Sequence, residues 1–146
     1  MKAKDFLCQI KKLDKLIENK IIEVRQLKEI ANNSTGNTEG ERVKSTKNPQ
    51  RIAEAIAKYV DLEREINEDI DKLIDSRRKI LCVIEQLNAT EYDVLHKIYV
   101  QNITFQDVAT IYDRSYGWAT TVHGRALKHV QKILDEQEKG AASGGA

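Results

Sequence analysis

Apolar residues recur every three or four positions through two long segments, and this spacing restricts both segments to amphipathic helices. The first series is Phe6, Ile10, Leu13, Ile17, Ile21, Val24, Leu27 and Ala31. The second is Ile52, Ile56, Tyr59, Val60, Ile66, Ile70, Leu73, Ile80, Ile84 and Leu87. Such a stripe is buried when another helix packs against it. Since 32% of the residues are charged and only 5% are aromatic, composition also favours long helices over a β-rich fold.

Residues 32–50 interrupt this periodicity. They contain two glycines, the single proline and almost no apolar side chain, so they cannot bury enough surface to become ordered. The sequence therefore predicts a coiled-coil-like antiparallel hairpin over residues 1–87, with a flexible loop at 32–50. Further apolar residues, among them Leu16, Ile22 and Ile74, widen its stripe. They suit either an interface with a second copy, as in a homodimer, or with another partner, or simple packing onto the C-terminal domain.

Shorter helices are predicted for residues 88–137. Asn88 and Thr90 can cap a support helix over residues 91–101. Two helical patterns then meet at a polar turn between Thr104 and Val130, with the spacing of a helix-turn-helix. The second of these helices would begin at Ser115, and the small Ala109 would let the two cross closely. The predicted fold is thus all-α, a long hairpin followed by a small helix-turn-helix domain, and residues 138–146 are predicted to be a disordered tail.

Two short runs carry a resemblance to a known family. Residues 104–109 read T-F-Q-D-V-A and residues 124–128 read G-R-A-L-K. They resemble region 4 of bacterial sigma factors, where T-[LF]-x-[ED]-[VI]-[AG] is followed by A-[RK]-A-L-[RK]. The nearest resemblance is to small phage and prophage regulators of Gram-positive bacteria, the ArpU-like and RinA-like group, which often carry H-G-R-A-L. It is strong over residues 88–134 and looser before them, and it implies a DNA-binding transcriptional regulator that activates late phage genes.

The candidate DNA-binding residues lie at the turn and along the second helix, whose early solvent-facing side chains meet base edges in a helix-turn-helix. They are Arg114, Ser115, Tyr116, Gly117, Trp118, Thr120, Thr121, Arg125 and Lys128. Threonines can contact thymine methyl groups or phosphates, but the early positions hold no arginine for bidentate recognition of guanine. Sigma region 4 usually has arginine, glutamate and glutamine there, so its promoter specificity does not carry over to this chain.

Three side chains of this set have two interpretations each. Trp118 either faces outward to contact DNA or protein, or folds back over Tyr99 or Tyr112. Arg114 either covers the edge of the core with its aliphatic stem or reaches a phosphate. Arg125, with Lys128 and Lys132 on the same side of the helix, either contacts phosphates or is an ordinary solvated charge.

The charge balance limits how strongly the chain can bind nucleic acid. Its net charge is only +1, so no global field attracts it to DNA. We therefore expect an affinity that is weak or depends on dimerisation or on a second protein. Metal or cofactor binding is not expected, since Cys8 and Cys82 stand alone and His123 and His129 are six residues apart. Those histidines are expected to be polar-face residues or phosphate donors.

Other functional classes find little support in the sequence. No catalytic motif is present, and no apolar run is long enough for a signal peptide or a membrane span, so we expect a cytoplasmic protein and not an enzyme. The leading hypothesis is a regulator that binds double-stranded DNA. The alternative is a protein-interaction module whose region 4-like domain docks on RNA polymerase, a sigma factor or another phage or host regulator. A purely structural coiled-coil protein would leave the C-terminal resemblance unexplained.

Overall fold

The computed structural model describes residues 1–36 and 49–144, and within them every regular element is helical. The elements are α1 (Ala3–Gly36), α2 (Pro49–Ile84), α3 (Ala89–Leu95), which continues as a π-helical turn (His96–Val100), α4 (Phe105–Ile111) and α5 (Tyr116–Gly144). The predicted all-α class is therefore confirmed. The flexible loop predicted at 32–50 lies outside the described residues except at its ends, where the helices continue to Gly36 and from Pro49. None of the described helices has both the length and the apolar character needed to cross a bilayer.

The chain divides into two compact units, whose limits differ from the domain boundary predicted at residue 87. One unit consists of Met1–Lys12 and Leu73–Ala146, and the other of Leu13–Lys72. The start of α1 and the end of α2 thus belong with the C-terminal helices. The physical reason is that α3 and α4 have seven residues each, which is too short to enclose an apolar core without longer helices beside them.

The larger unit has one continuous apolar core. Its best-buried side chains come from all of its helices and include Leu7, Ile10, Ile80, Ile84, Val94, Leu95, Val108, Val122 and Val130. The start of α1 is also tied to α5 by hydrogen bonds. The backbone amide of Ala3 donates to the side chain of Gln131 at 2.8 Å, and the Gln131 amide donates to the carbonyl oxygen of Met1 at 3.1 Å. These contacts fix the middle of α5 on the core.

Side-chain caps set where the three C-terminal helices begin. Asn88 Oδ1 accepts from the amide of Glu91 at 2.9 Å and caps α3, while Thr104 Oγ1 accepts from the amide of Asp107 at 3.1 Å and caps α4. Ser115 caps α5. Caps at Asn88 and Ser115 match the sequence prediction, whereas Thr90 lies within α3 and is not a cap.

Two residues with positive φ end the short helices. Asn102, with φ 59°, follows the π-helical turn, and Asp113, with φ 56°, follows α4. Asparagine and aspartate tolerate this left-handed conformation better than most side chains. After Asp113 the amide of Arg114 donates to the carbonyl oxygen of Ala109 at 2.8 Å. This closes the end of α4 and fixes the direction in which α5 leaves the turn.

Helix α5 is longer than predicted, because it continues through residues 138–144, where the sequence predicted a disordered tail. Only residues 145–146 of that tail lie outside the described part of the chain. Extending a helix that already exists needs no new nucleation, and the alanines at 141 and 142 are strong helix formers.

The smaller unit, Leu13–Lys72, pairs part of α1 with part of α2. Lys20 forms ion pairs with Asp69 at 2.7 Å and Glu65 at 3.1 Å, and Lys28 forms one with Glu63 at 3.1 Å. Partner numbers fall along α2 as they rise along α1, so the two helices run antiparallel. Hydrogen bonds that the Lys20 ammonium donates to Asp69 and then to Glu65 raise the pKa of Lys20, which keeps this lysine charged at an inner position of the helix pair.

Not all of the predicted apolar stripe is covered in this unit. Its buried apolar residues are Ile17, Val24, Ala31, Ala55 and Ile66. Ile21, Ile56, Val60 and Ile70, which the spacing assigned to the same stripe, are each between 38% and 44% exposed. Because Lys20 occupies an inner position, Ile21 is displaced to the outside.

Candidate nucleic-acid interface

The candidate site is the turn after α4 together with the first four turns of α5. Val108 and Ala109 of α4 and Ala119, Val122 and Ala126 of α5 are almost completely buried. The alanines on both helices allow a close approach between them, as predicted for Ala109. This packing holds one face of α5 against the core and leaves the opposite face to solvent.

The solvent face of α5 forms a ridge that we define by Gly117, Thr121, Arg125, Lys128 and Lys132. All five are exposed. They follow each other at intervals of three or four residues, so they share one side of the helix. Three of the five are basic and none is acidic, which gives the ridge a positive charge although the whole chain is nearly neutral.

The predicted site residues are therefore divided between exposed and half-buried positions. Arg114, Ser115, Tyr116, Gly117, Thr121, Arg125 and Lys128 are exposed. Thr120 is half-buried, and its hydroxyl donates to the carbonyl oxygen of Gly117 at 3.0 Å. Ser115 uses its hydroxyl as the helix cap, accepting from the amide of Trp118 at 3.0 Å. Tyr116 leans edge-on against Phe105 with 6.1 Å between ring centroids, yet remains 53% exposed.

Trp118 does not face outward. It packs against Tyr112 with 5.0 Å between ring centroids, and the guanidinium of Arg114 lies over its ring at 5.6 Å from the centroid. Of the two interpretations of Trp118, the structure therefore agrees with the one in which the side chain packs back over Tyr112. Arg114 thus lies over the Trp118 ring and remains exposed to solvent.

A buried carboxylate behind the ridge was not anticipated from the sequence. Glu91 is only 2% exposed, and its Oε1 lies 2.7 Å from Nδ1 of His129. Its Oε2 lies 3.5 Å from Nε of Arg125 and accepts no hydrogen bond from the described residues. Glu91 thus anchors two basic side chains of α5, while Arg125 itself stays 56% exposed.

His123 lies in a different environment from the one predicted for it. Its Nε2 is 2.6 Å from the hydroxyl of Tyr99, and its ring is edge-on to Phe105 at 4.8 Å. Burial, with a smaller contribution from Lys4, lowers the pKa of His123, and burial raises the pKa of Tyr99 to about 12. Neutral His123 is therefore part of the packing between α3, α4 and α5, and the expectation of a polar-face residue or phosphate donor is corrected for it.

A cleft of about 550 Å³ lies beside the ridge. Arg114, Trp118, Arg125 and His129 line one side of it, and residues 88–91 at the start of α3 line the other. Two of the lining side chains, Arg114 and Arg125, are cationic, and only Glu91, which is already paired, is acidic. Within residues 1–36 and 49–144 no three His, Cys, Asp or Glu side chains converge as a metal site would require.

Two glycines on the solvent side of α5 have no intramolecular explanation. A Cβ added at Gly124 would meet nothing within 4 Å, and one added at Gly117 would meet only the Oγ of Ser115 at 3.8 Å. Glycine within a helix costs about 0.5–1 kcal/mol relative to alanine. The two lie seven residues apart, two turns along the same side, so the helix backbone is bare there.

Comparisons of the chain with models of known protein families, with curated protein sequences and with solved structures found no match.

Proposed function

We propose that this chain is a DNA-binding transcriptional regulator of the phage type, an activator of late genes that inserts the start of α5 into the major groove. The observation that carries the proposal is the ridge, an exposed, basic helix face seated on a fully packed helix pair. In a helix-turn-helix the second helix presents its solvent-facing side to the major groove, and the exposed side of α5 supports that role. The role in late genes rests on the resemblance in sequence alone. Such a regulator would act in the cytoplasm of a bacterial host.

The composition of the ridge suits close contact with a duplex. Gly117 and Gly124 leave the backbone of α5 bare, which lets base edges or sugar groups approach it. Thr121 can place its methyl group against a thymine methyl or its hydroxyl on a phosphate. Since no arginine is present in the first turn of α5, we expect base recognition to rely on DNA shape and apolar contacts more than on bidentate hydrogen bonds to guanine.

The basic residues beside and beyond the first turn suit the phosphate backbone. Nε of Arg125 faces Glu91 at 3.5 Å, so the two terminal nitrogens of the guanidinium are left for a phosphate. Arg114 lies on the same cleft, and Lys128 and Lys132 continue along the ridge. Contacts of this kind position a protein on DNA without reading its sequence.

The test is salt-dependent binding of the full chain to duplex fragments selected from phage genomic DNA. We expect the double variant Thr121→Ala/Arg125→Ala to lose most of the affinity, because it removes a base-edge contact and a phosphate contact from the same turn. Lys139→Ala is the matched control, since it removes one exposed charge from the same helix beyond the ridge. If the double variant bound as tightly as the control, α5 would not be the reading helix.

A second candidate function, docking on RNA polymerase, a sigma factor or another regulator, is favoured by one observation. Ile111 at the end of α4 is 57% exposed and Tyr116 is 53% exposed, so both large side chains are available for a docked protein to cover. Protein docking would survive high salt and be lost on Ile111→Glu, whereas DNA binding would weaken with salt and tolerate that change. The half-buried Trp118 is less suited to be its anchor than the sequence indicated.

A further inference from the structure

The unit Leu13–Lys72 is poorly covered for a folded unit. Its best-buried apolar residue in the described part, Ala55, is 5% exposed, and Ile17 and Ile66 are each 9% exposed. By contrast, ten large side chains elsewhere in the chain are less than 2% exposed. Two helices alone cannot enclose a core, because each covers only one side of the other.

Of the six large apolar side chains that are exposed in the described part of this unit, four share one side of the helix pair, while Leu16 and Ile22 do not. Ile56, Glu63 and Ile70 follow each other at intervals of seven residues, which is two turns of α2. Ile21 and Lys28 have the same interval on α1. Since Lys28 pairs with Glu63 at 3.1 Å and the helices are antiparallel, Ile21 and Ile70 lie at the same level two turns away.

We call this side the 21/70 face and define it by Ile21, Lys28, Ile56, Val60, Glu63 and Ile70. Its four apolar residues are 38–44% exposed, and its two charged residues are about half exposed. It is therefore an apolar strip with one ion pair across it.

We propose that a second copy of this chain covers the 21/70 face, so that two helix pairs form a four-helix bundle about a two-fold axis parallel to the helices. Rotation about that axis places α1 of each copy on α2 of the other at the same level. Ile21 then packs on Ile70 of the second copy, and Lys28 meets Glu63 of the second copy. The four charges alternate in sign around the axis, so the face is complementary to itself.

The opposite side of the helix pair is less suited to self-association. There a groove of about 620 Å³ is bordered by Glu23, Asp61 and Glu65 against a single Lys58. Glu65 and Asp61 are already paired with Lys20 and Arg64 at 3.1 and 3.4 Å, so pairing that side with itself would leave an acidic excess and no ion pair placed to complement itself. Charge therefore selects the 21/70 face.

The face is also large enough. Twenty-four residues of helix span about 36 Å, and two packed helices are roughly 20 Å wide, so each copy can cover roughly 700 Å². Stable interfaces of standard size bury about 600–1,000 Å² per partner, a range that includes this face. This dimer does not depend on the proposed function and can be tested without DNA.

The first experiment is sedimentation equilibrium of the full chain from about 1 to 100 μM. We expect the wild-type chain to be a dimer and Ile70→Glu to be a monomer, since a carboxylate would be buried at the interface. Ile22→Glu is the matched control, because Ile22 is 46% exposed but lies about 100° around α1 from Ile21. Circular dichroism checks that both variants remain helical. A monomeric wild-type chain at every concentration, or equal behaviour of the two variants, would overturn the dimer.

The second experiment uses charge reversal and does not require an apolar substitution. Lys28→Glu and Glu63→Lys should each weaken self-association by roughly tenfold, about 1.4 kcal/mol, because each places like charges around the axis. An equimolar mixture of these two variants should form a heterodimer, since every contact between copies is then attractive. A restored ion pair within one chain cannot explain that heterodimer, because each variant still carries like charges at its own residues 28 and 63. A mixture that stays as weakly associated as its components would exclude the proposed axis.

Discussion

Replacing Gly124 by alanine should change the stability of the chain and its affinity for DNA in opposite directions. Because an added Cβ meets nothing within 4 Å, Gly124→Ala should raise the free energy of unfolding by about 0.5–1 kcal/mol. The same methyl group would stand between α5 and the duplex, so DNA affinity should fall. Chemical denaturation and fluorescence anisotropy measure the two effects on the same sample.

Gly140 provides the control for this prediction. It lies on the same helix, and an added Cβ there also meets nothing within 4 Å. Gly140→Ala should leave DNA affinity unchanged while stabilising the chain somewhat less, since it is close to the helix end. If Gly124→Ala bound DNA as well as Gly140→Ala does, the bare backbone at Gly124 would have no role in binding.

His123 makes the stability of the larger unit depend on pH. Its pKa is lowered by burial, and that of His96 is lowered by burial and then by Arg77. The unfolded chain therefore takes up protons at a higher pH than the folded chain, so stability is full above about pH 6.5 and declines as the pH falls below it. Urea denaturation between about pH 7.5 and pH 5.5, where most carboxylates stay ionised, should record this decline.

His123→Gln tests the assignment of that decline. Glutamine can keep a hydrogen bond to the Tyr99 hydroxyl, but it does not titrate. The variant should lose part of the pH dependence and keep its helical content. An unchanged profile would assign the effect to His96 or to other groups.

At the scale of single residues, two of the three caps could be predicted from sequence, although Thr90 was wrongly expected to be one, and the buried polar contacts could not be predicted. Asn88 and Ser115 precede helical periodicity and act locally, so their type and position are sufficient. Glu91 lies three residues after Asn88, where a glutamate usually belongs to an exposed capping box. Its partners Arg125 and His129 are 34 and 38 residues further along the chain, and no local pattern connects them.

At the scale of elements, the start of α5 gives a prediction that separates stability from binding. Ser115→Ala should lower the free energy of unfolding by about 1 kcal/mol, because the amide of Trp118 loses its acceptor. Ser115→Asp should keep the cap and most of the stability, since aspartate is an equally good cap. Its charge would face the phosphates, so its DNA affinity should fall more than that of Ser115→Ala. Thermal unfolding and binding of both variants to one duplex check the pair, and equal affinities would argue against contact at this turn.

The existence of the elements could largely be predicted, whereas their details depend on tertiary packing. The three- and four-residue spacing is sufficient to predict α1 and α2. The support helix was predicted over 91–101, but it begins at Ala89 and changes at His96 to a π-helical turn, where the amide of Gln101 donates to the carbonyl oxygen of His96. Apolar spacing cannot indicate such a turn, since one wider turn leaves Ile98 and Tyr99 buried all the same.

At the scale of the whole molecule, DNA binding should have a modest dependence on salt. Arg114, Arg125, Lys128 and Lys132 are the exposed cations of the proposed interface. If each neutralises one phosphate, the logarithm of the binding constant should fall against the logarithm of salt concentration with a slope of about −3.5 per chain. Arg125→Ala should make the slope shallower by about 0.9, and Thr121→Ala should leave it unchanged. A slope near zero would favour the protein-docking function.

The division into units could not be predicted because the apolar series of α1 is uniform on both sides of residue 12. Phe6 and Ile10 belong to one core, and Ile17 and Val24 belong to the other, yet their spacing is the same. Only the long-range contacts of the folded chain distinguish them. It follows that residues 88–137 do not contain a complete core, and binding experiments require the full chain.

A unit built from both ends of a sequence has a consequence for its synthesis. Ile10 leaves the ribosome about 120 residues before Val130, with which it shares a core, and at 5–20 residues per second that interval lasts roughly 6 to 24 s. During this time the first turns of α1 have no completed core to pack against, while the intervening helix pair can already form. Translation speed and chaperone access should therefore influence how much of this protein reaches its native state.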